Sequence, residues 1–160
     1  MSTPLLEVDG LTVAYGDADP VVRDISFAVE AGKMTAIVGE SGSGKTTSAM
    51  AALDLLGAGG TVLGGSIRYK GRELSNLTSA EWRKLRGRKI GLVPQDPNNS
   101  LNPLKTIGAS VEDGLEIHGM GDAAERRRQA IVLLERVGID DPERRYHQYP
   151  HELSGGMKQR

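Results

Sequence analysis

The sequence predicts an α/β fold in which a mixed β-sheet core is followed by a helical lobe. Segments with the two-residue alternation of β-strands come first, within residues 5–29. An apolar run, a glycine-rich loop and an Ala-, Leu- and Met-rich segment follow over residues 34–56, an order that is typical of a strand, a loop and a helix. Helical patterns dominate after residue 105. Strands before helices therefore favour a sheet with a separate helical part.

The composition indicates a core-forming domain with no strong overall charge. The 160 residues include 20 Lys and Arg against 21 Asp and Glu, and 38% are hydrophobic. Balanced charge gives no long-range field that recruits nucleic acid or anionic membrane, so phosphate binding must come from a local cluster of groups. The lack of cysteine excludes disulfides, thiolate nucleophiles and cysteine-ligated zinc. Without a signal-like N-terminus or an apolar run of about 18 residues, we expect a cytoplasmic protein.

Strand predictions rest on alternation and on apolar runs. Residues 5–9, 11–15 and 25–29 alternate apolar and polar side chains, which predicts antiparallel strands with one solvent-exposed face. Residues 34–38 are mostly apolar, so they are predicted to form a strand that is covered on both faces. Further strands are predicted at residues 66–69 and 90–93.

Helix predictions rest on composition and on capping patterns. Residues 45–56 contain no helix breaker and predict a buried helix. Thr78, with Glu81 three residues later, has the pattern of a capping box and predicts a short helix. Helices are also predicted over about residues 106–118 and 123–137, with Gly138 as the C-terminal cap of the second.

Residues 39–47 have the pattern of a phosphate-binding loop. Glycines let successive backbone amides point at an anion, the lysine adds a positive charge, and the hydroxyl after it can ligate magnesium. The following helix directs its unpaired N-terminal amides to the same place. A glycine-rich turn can match this pattern by chance, but a strand before it and a helix after it are the context that the motif requires. The candidate ligands of a nucleoside triphosphate are Gly39, Glu40, Ser41, Gly42, Ser43, Gly44, Lys45, Thr46 and Thr47.

A second glycine-containing segment, Leu-Ser-Gly-Gly-Met-Lys-Gln-Arg, lies at residues 153–160. It places a serine hydroxyl and two residues without side chains where a new helix begins, which is a second potential anion site. Taken alone, the serine is equally consistent with an ordinary N-cap. The candidate residues here are Ser154, Gly155, Gly156 and Met157.

Together these motifs resemble those of the ATP-binding cassette (ABC) ATPases over nearly all 160 residues. Residues 39–47 match the family's Walker A motif, Gln95 its Q-loop and residues 153–160 its signature motif, in that order. Tyr15 lies where the family has an adenine-stacking aromatic residue, although without the resemblance an ordinary sheet aromatic remains open. The resemblance implies a P-loop NTPase core with an antiparallel β subdomain over about residues 1–95. It implies a Q-loop, a helical lobe and the signature over about residues 96–160.

The segments around Gln95 and before the signature look like those of the oligopeptide, dipeptide and nickel importer subfamily. These segments are Pro-Gln-Asp-Pro at residues 94–97, Ser-Leu-Asn-Pro at residues 100–103 and Tyr-Pro-His-Glu-Leu at residues 149–153. Pro94 departs from the pattern, because an aromatic residue is frequent at that position in the subfamily.

The resemblance also implies roles and partners. Lys45 and the loop amides would hold the phosphates of ATP, Thr46 and Gln95 would contact Mg²⁺, and the signature would face the γ-phosphate bound by a second ABC ATPase subunit. Two such subunits, alike or different, would sandwich two ATP molecules at the cytoplasmic face of the membrane. They would bind membrane-spanning permease subunits and act indirectly with an extracytoplasmic solute-binding protein.

In the family, the residues of hydrolysis follow the signature: an aspartate, an adjacent glutamate and a switch histidine. Those positions would lie beyond Arg160, so no catalytic residue is expected within this chain, and we interpret the sequence as truncated or as a gene fragment. His118, His147 and His151 precede the signature and are expected on the surface or in loops. We expect the chain alone to be inactive as an ATPase.

Other functions stay open at this point. A soluble ABC protein of translation or DNA repair would share every ATP motif, and a non-catalytic ATP-binding fragment would share those present. The basic clusters at residues 83–89 and 126–128 lack interleaved aromatic residues and have acidic neighbours, so they fit solvated helix faces better than a nucleic-acid site.

Overall fold

A computed structural model describes residues 3–97 and 100–160 of the chain. It divides into two compact units, Met1–Arg86 and Gly87–Arg160. Within the described residues, no helix is long and apolar enough to span a lipid bilayer.

The first unit is built on a four-stranded antiparallel sheet. Its strands are β1 (Leu6–Tyr15), β2 (Val22–Val29), β3 (Gly60–Tyr69) and β4 (Arg72–Glu73), in the order β2, β1, β3, β4. In the pairing of β1, Leu6 lies opposite Val29 on one side and opposite Tyr69 on the other. The predicted strand at residues 25–29 is thus confirmed as an antiparallel strand within β2, and β3 begins six residues before the predicted residue 66.

Residues 5–9 and 11–15 do not form two strands but the single strand β1. The register of β1 shifts between Val8 and Leu11, where Gly10 has a φ of +64°. Opposite it, a Cβ atom on Gly65 would lie 2.6 Å from the carbonyl oxygen of Asp9. The irregularity therefore bends one continuous strand, and glycine on both sides makes the close backbone approach possible.

Two helices complete the first unit, α1 (Lys45–Ala52) and α2 (Ser79–Leu85). Helix α1 buries Ser48, Ala51 and Ala52, whose spacing places them on one face. Together with the sheet and α2 they enclose the core residues Val8, Leu11, Val13, Val22, Ile67, Leu74 and Trp82.

Helix α1 ends four residues before the predicted residue 56. The chain turns at Asp54, which has a φ of +52°. The guanidinium of Arg86 donates hydrogen bonds of 3.0 and 2.7 Å to the carbonyl oxygen of Leu53, and its Cζ atom lies 4.7 Å from the Trp82 ring centre. The sequence places Arg86 in a basic cluster on a solvated helix face, but its guanidinium instead donates hydrogen bonds to the carbonyl oxygens that follow α1.

Two predicted core strands do not form. Residues 34–38 and 91–93 have no strand structure, and Ile90 forms only an isolated bridge. Met34, Val38 and Val93 are 95%, 86% and 77% exposed. A strand needs an adjacent strand to pair its backbone groups. Among the described residues no strand pairs with either segment, so an apolar sequence alone does not produce the ladder.

The second unit is helical. It contains α3 (Ile107–Ile117), α4 (Ala123–Arg136), α5 (Pro142–Tyr146), a 3₁₀ turn (Pro150–Glu152) and α6 (Gly155–Gln159). The side chains of Thr106 and Asp122 cap α3 and α4, and Gly138 has a φ of +75° after α4, as the sequence predicts. Its core consists of Ile107, Leu134, Ile139 and Leu153.

Candidate functional site

The candidate phosphate loop leads directly into helix α1. Gly42 and Gly44 have φ values of +81° and +86°, a region that glycine adopts without strain. Gly44 is the N-cap of α1, and a Cβ atom there would lie 3.0 Å from the carbonyl oxygen of Val21. Its missing side chain therefore allows the loop to pass close to the start of β2.

The Lys45 side chain folds back over the loop. Its Nζ donates hydrogen bonds to the carbonyl oxygens of Gly39, at 2.9 Å, and Glu40. The Ser43 Oγ lies 3.5 Å from the same Nζ. A Cβ atom on Gly39 would lie 2.8 Å from Ser43 Oγ, so the absence of a side chain at Gly39 lets Ser43 approach the start of the loop. The loop therefore holds the Lys45 ammonium group against two of its own carbonyl oxygens.

The Tyr15 side chain and the start of α1 border one cleft in the first unit. Its volume is about 230 Å³, and it is lined by Tyr15, Val21, Gly42, Ser43, Gly44, Lys45, Thr46 and Thr47. Tyr15 ends β1 and is half-buried. An aromatic ring, an ammonium group and three hydroxyls therefore share one opening at the N-terminus of a helix.

These groups fit a nucleoside triphosphate. Exposed amides at the start of α1 and the Lys45 ammonium suit phosphate oxygens, and the Tyr15 ring offers a face for a base. The Thr46 side chain is exposed, so its hydroxyl is accessible to a divalent cation. Among the described residues that line the cleft, none carries a carboxylate that would repel phosphate.

The other predicted ligands of this site occupy different positions. Glu40 and Ser41 are exposed at the outer turn of the loop. Gln95, the second predicted contact of Mg²⁺, is exposed in the second unit. Thr46 belongs to the first unit, and a cation site shared by Thr46 and Gln95 stays a prediction.

The predicted signature segment forms a capped helix start on the surface of the second unit. The Ser154 Oγ accepts a 3.3 Å hydrogen bond from the Met157 amide, which is the predicted N-cap. Gly155 and Gly156 are exposed, and a Cβ atom on either would meet nothing within 4 Å. Leu153 is buried in the core just before them and fixes their position. The segment therefore exposes Ser154 and two backbone positions that carry no side chain.

The three histidines lie outside these segments, as predicted. His118 ends α3, and the exposed ring of His151 stacks on Tyr149 with 5.8 Å between ring centres. His147 is exposed, and its Nε2 lies 3.2 Å from a guanidinium nitrogen of Arg127.

The sequence patterns do not reveal one residue that lines the cleft and one that lies behind the Tyr15 ring. Val21 lines the cleft from the residue before β2, and Gly60 lies opposite Tyr15 in the pairing of β1 with β3. No motif marks either residue, because both positions follow from strand pairing. The only sequence signal near Gly60 is the glycine cluster at residues 57–65, which predicts the end of the helix over residues 45–56 and not a contact with Tyr15.

The chain is similar in sequence to known proteins of one family. Residues 22–160 match the protein family described as ABC transporter. The dipeptide transport ATP-binding protein DppD of Escherichia coli (strain K12) is 42% identical over 159 residues, covering 98% of this chain and 49% of DppD. The oligopeptide transport ATP-binding protein OppD of Mycobacterium tuberculosis (strain ATCC 25618 / H37Rv) is 47% identical over 163 residues, covering 99% of this chain and 26% of OppD. The chain thus spans about half the length of DppD.

Solved structures agree with the fold class. A dimeric ATP-binding cassette in a post-hydrolysis state, bound to ADP and Pi, matches 96% of this chain and 65% of its own, with a TM-score of 0.79 and 26% identity. The cbiO1 protein of Clostridium perfringens, part of the transporter complex cbiONQ, matches with a TM-score of 0.75. The predicted fold class, a cassette with an antiparallel β subdomain and a helical lobe, is confirmed.

Proposed function

We propose that this chain, which belongs to the ABC transporter family, serves as the ATP-binding subunit of an importer for peptides or nickel. The observation that carries the proposal is the cleft at the start of α1, where Tyr15, Lys45 and Thr46 meet. The names of DppD and OppD support peptides as the substrate class. Nickel rests on the subfamily resemblance alone.

In this proposal the loop residues bind and orient ATP. The Lys45 ammonium would exchange its carbonyl partners for phosphate oxygens, which form stronger charge-assisted hydrogen bonds. The amides at the start of α1 would hold further phosphate oxygens, and the Tyr15 ring would stack on adenine. Thr46 and Gln95 would hold Mg²⁺, which when bound neutralises charge on the phosphates.

Coupling to transport would depend on a second subunit. Ser154, Gly155 and Gly156 are exposed and would contact the γ-phosphate held by the partner ABC subunit. Binding of ATP would favour the closed pair over the open pair, and this change would pass to membrane-spanning permease subunits. A solute-binding protein outside the membrane would supply cargo, and the ATPase pair would remain peripheral at the cytoplasmic face.

Replacing Ser154 by arginine in the intact parent protein tests this proposal in cells that take up the solute. A charged side chain in the partner's phosphate site should prevent closure, while ATP binding at residues 39–47 survives. Uptake of dipeptides, oligopeptides or nickel should be lost. The control is Ser79→Arg, which adds the same charge at an exposed position of α2 and should leave uptake unchanged.

The outcomes separate the parts of the proposal. If uptake of all three solutes persists while a sugar or a metal–siderophore complex fails to enter, the substrate class is wrong and the ABC assignment stands. Co-purification with ribosomes or DNA in place of membrane subunits would instead favour a soluble ABC protein.

A further inference from the structure

The Tyr15 ring lies against a turn in which glycine is frequent. Tyr15 is the last residue of β1, and it pairs with Gly60, the first residue of β3. The Gly16 amide donates a 2.9 Å hydrogen bond to the Gly59 carbonyl oxygen, and the Gly60 amide donates one of 2.9 Å to that of Gly57. These bonds hold the end of β1 and the turn at residues 57–60 in a fixed relation.

Space, and not backbone conformation, requires glycine at position 60. Gly60 is not among the residues with positive φ, so its backbone suits any residue. A Cβ atom there, however, would lie 2.9 Å from Cε1 of Tyr15 and 2.8 Å from Cβ of Leu56. Carbon atoms that are not bonded to each other stay about 3.5 Å or more apart. The Tyr15 ring, the Leu56 side chain and the Gly57 carbonyl oxygen, at 3.1 Å, therefore fill the volume that a side chain at position 60 would need, and the ring is the part of this wall that borders the cleft.

We propose that Gly60 is a positioning residue for nucleobase recognition, because its missing side chain lets the Tyr15 ring lie over the start of β3 while it borders the cleft. This inference rests on the proposed function, in which the cleft binds ATP. Any side chain at position 60 would displace the ring and remove the part of the affinity that depends on the base. The contacts of Lys45 and the loop with the phosphates would be retained.

The test compares Gly60→Ala with Gly57→Ala by calorimetric titration with ATP and with inorganic triphosphate. Gly57 is a matched control, because it lies in the same turn, has no positive φ, and a Cβ atom there would meet nothing within 4 Å. The Kd for ATP should rise by about 5-fold to 150-fold in Gly60→Ala, the range of a lost base stack. The Kd for triphosphate should stay the same, and Gly57→Ala should change neither value.

Repeating Gly60→Ala in a Tyr15→Ala background identifies the residue through which it acts. Without the ring, the added methyl group has no base-binding group left to displace, so the Kd for ATP should not rise further. A loss that persists undiminished in this background, or that is equal for ATP and triphosphate, overturns the proposal. Unchanged ATP affinity in Gly60→Ala overturns it as well.

A folding rescue and a comparison with Lys45→Ala separate the role of Gly60 from the proposed function. If Gly60→Ala fails to fold, Tyr15→Ala should restore folding and triphosphate binding. Failure to do so would show that Leu56 is the obstacle and would overturn the proposal. If Lys45→Ala binds ATP normally, the proposed function fails. If Lys45→Ala loses ATP binding while Gly60→Ala and Gly57→Ala have the same Kd for ATP, only the inference about Gly60 fails.

Discussion

At the scale of single residues, a complete capping box formed by Thr78 and Glu81 begins α2. The Thr78 Oγ accepts a 3.3 Å hydrogen bond from the Glu81 amide, and the Thr78 amide and hydroxyl each donate one of 3.0 Å to the Glu81 carboxylate. These hydrogen bonds and the nearby Arg72 guanidinium lower the pKa of Glu81 below its ordinary value. The helix start is therefore stabilised by a charged carboxylate.

Thr78→Ala should destabilise the protein by about 1 kcal/mol, the typical cost of a lost N-cap. Thr78→Ser keeps the hydroxyl and should cost much less. Because the pKa of Glu81 is lowered in the folded state, its stabilisation is present above the unfolded-state pKa and lost as pH falls through the folded-state value. Urea unfolding at several pH values measures the cost of Thr78→Ala and the loss of stability in acid. If a Glu81→Gln variant loses as much stability in acid as the unsubstituted protein, the assignment to Glu81 is contradicted.

Residue roles were predictable where they depend on near neighbours in sequence. Thr78 and Glu81 are three residues apart, and residues 39–47 carry their pattern in one segment. Gly60 and Arg86 act on residues 45 and 33 positions away, Tyr15 and Leu53, so only the folded chain brings them together. The sequence therefore predicted the loop of the candidate site but not Gly60, which lies behind the Tyr15 ring.

At the scale of elements, helices were predicted more closely than strands. Helices α3 and α4 lie within one residue of their predicted ends, because a helix satisfies its hydrogen bonds internally and its caps are local. Residues 34–38 and 90–93 were predicted as strands from apolar composition, yet a strand needs partners that composition does not supply.

Helix α3 offers a pair of glycines that separates packing from helix propensity. A Cβ atom on Gly108 would lie 2.3 Å from the Tyr146 ring, whereas one on Gly114 would meet nothing within 4 Å. The Tyr146 hydroxyl donates a hydrogen bond to Glu112, which holds the ring in place. Burial is the main cause that raises the pKa of Tyr146, and this hydrogen bond is the second.

Gly108→Ala should therefore destabilise the protein by about 1 to 3 kcal/mol through overpacking. Gly114→Ala should stabilise it by about 0.5 to 1 kcal/mol, since alanine favours the helix over glycine. Denaturant unfolding of the two variants measures both effects. Equal changes in stability would contradict the close packing of α3 against α5.

At the scale of the whole molecule, we expect the 160-residue chain to bind ATP without hydrolysing it. Positioning phosphates leaves the barrier largely in place unless a group also orients the attacking water. The family resemblance assigns that group to a position after the signature, and none of the described residues lining the cleft carries a carboxylate. A phosphate-release assay should give the background rate. Turnover that scales with protein and disappears in Lys45→Ala would contradict the expectation.

The central claim is that the loop at residues 39–47 binds ATP through Lys45, and calorimetric titration with ATP tests it most directly. Lys45→Ala should abolish measurable binding, because the phosphates lose the ammonium group at the centre of the loop. Lys33→Ala is the matched control, since this exposed lysine pairs with Glu30 outside the cleft and its loss should leave the affinity unchanged. Unchanged ATP affinity in Lys45→Ala would contradict the account.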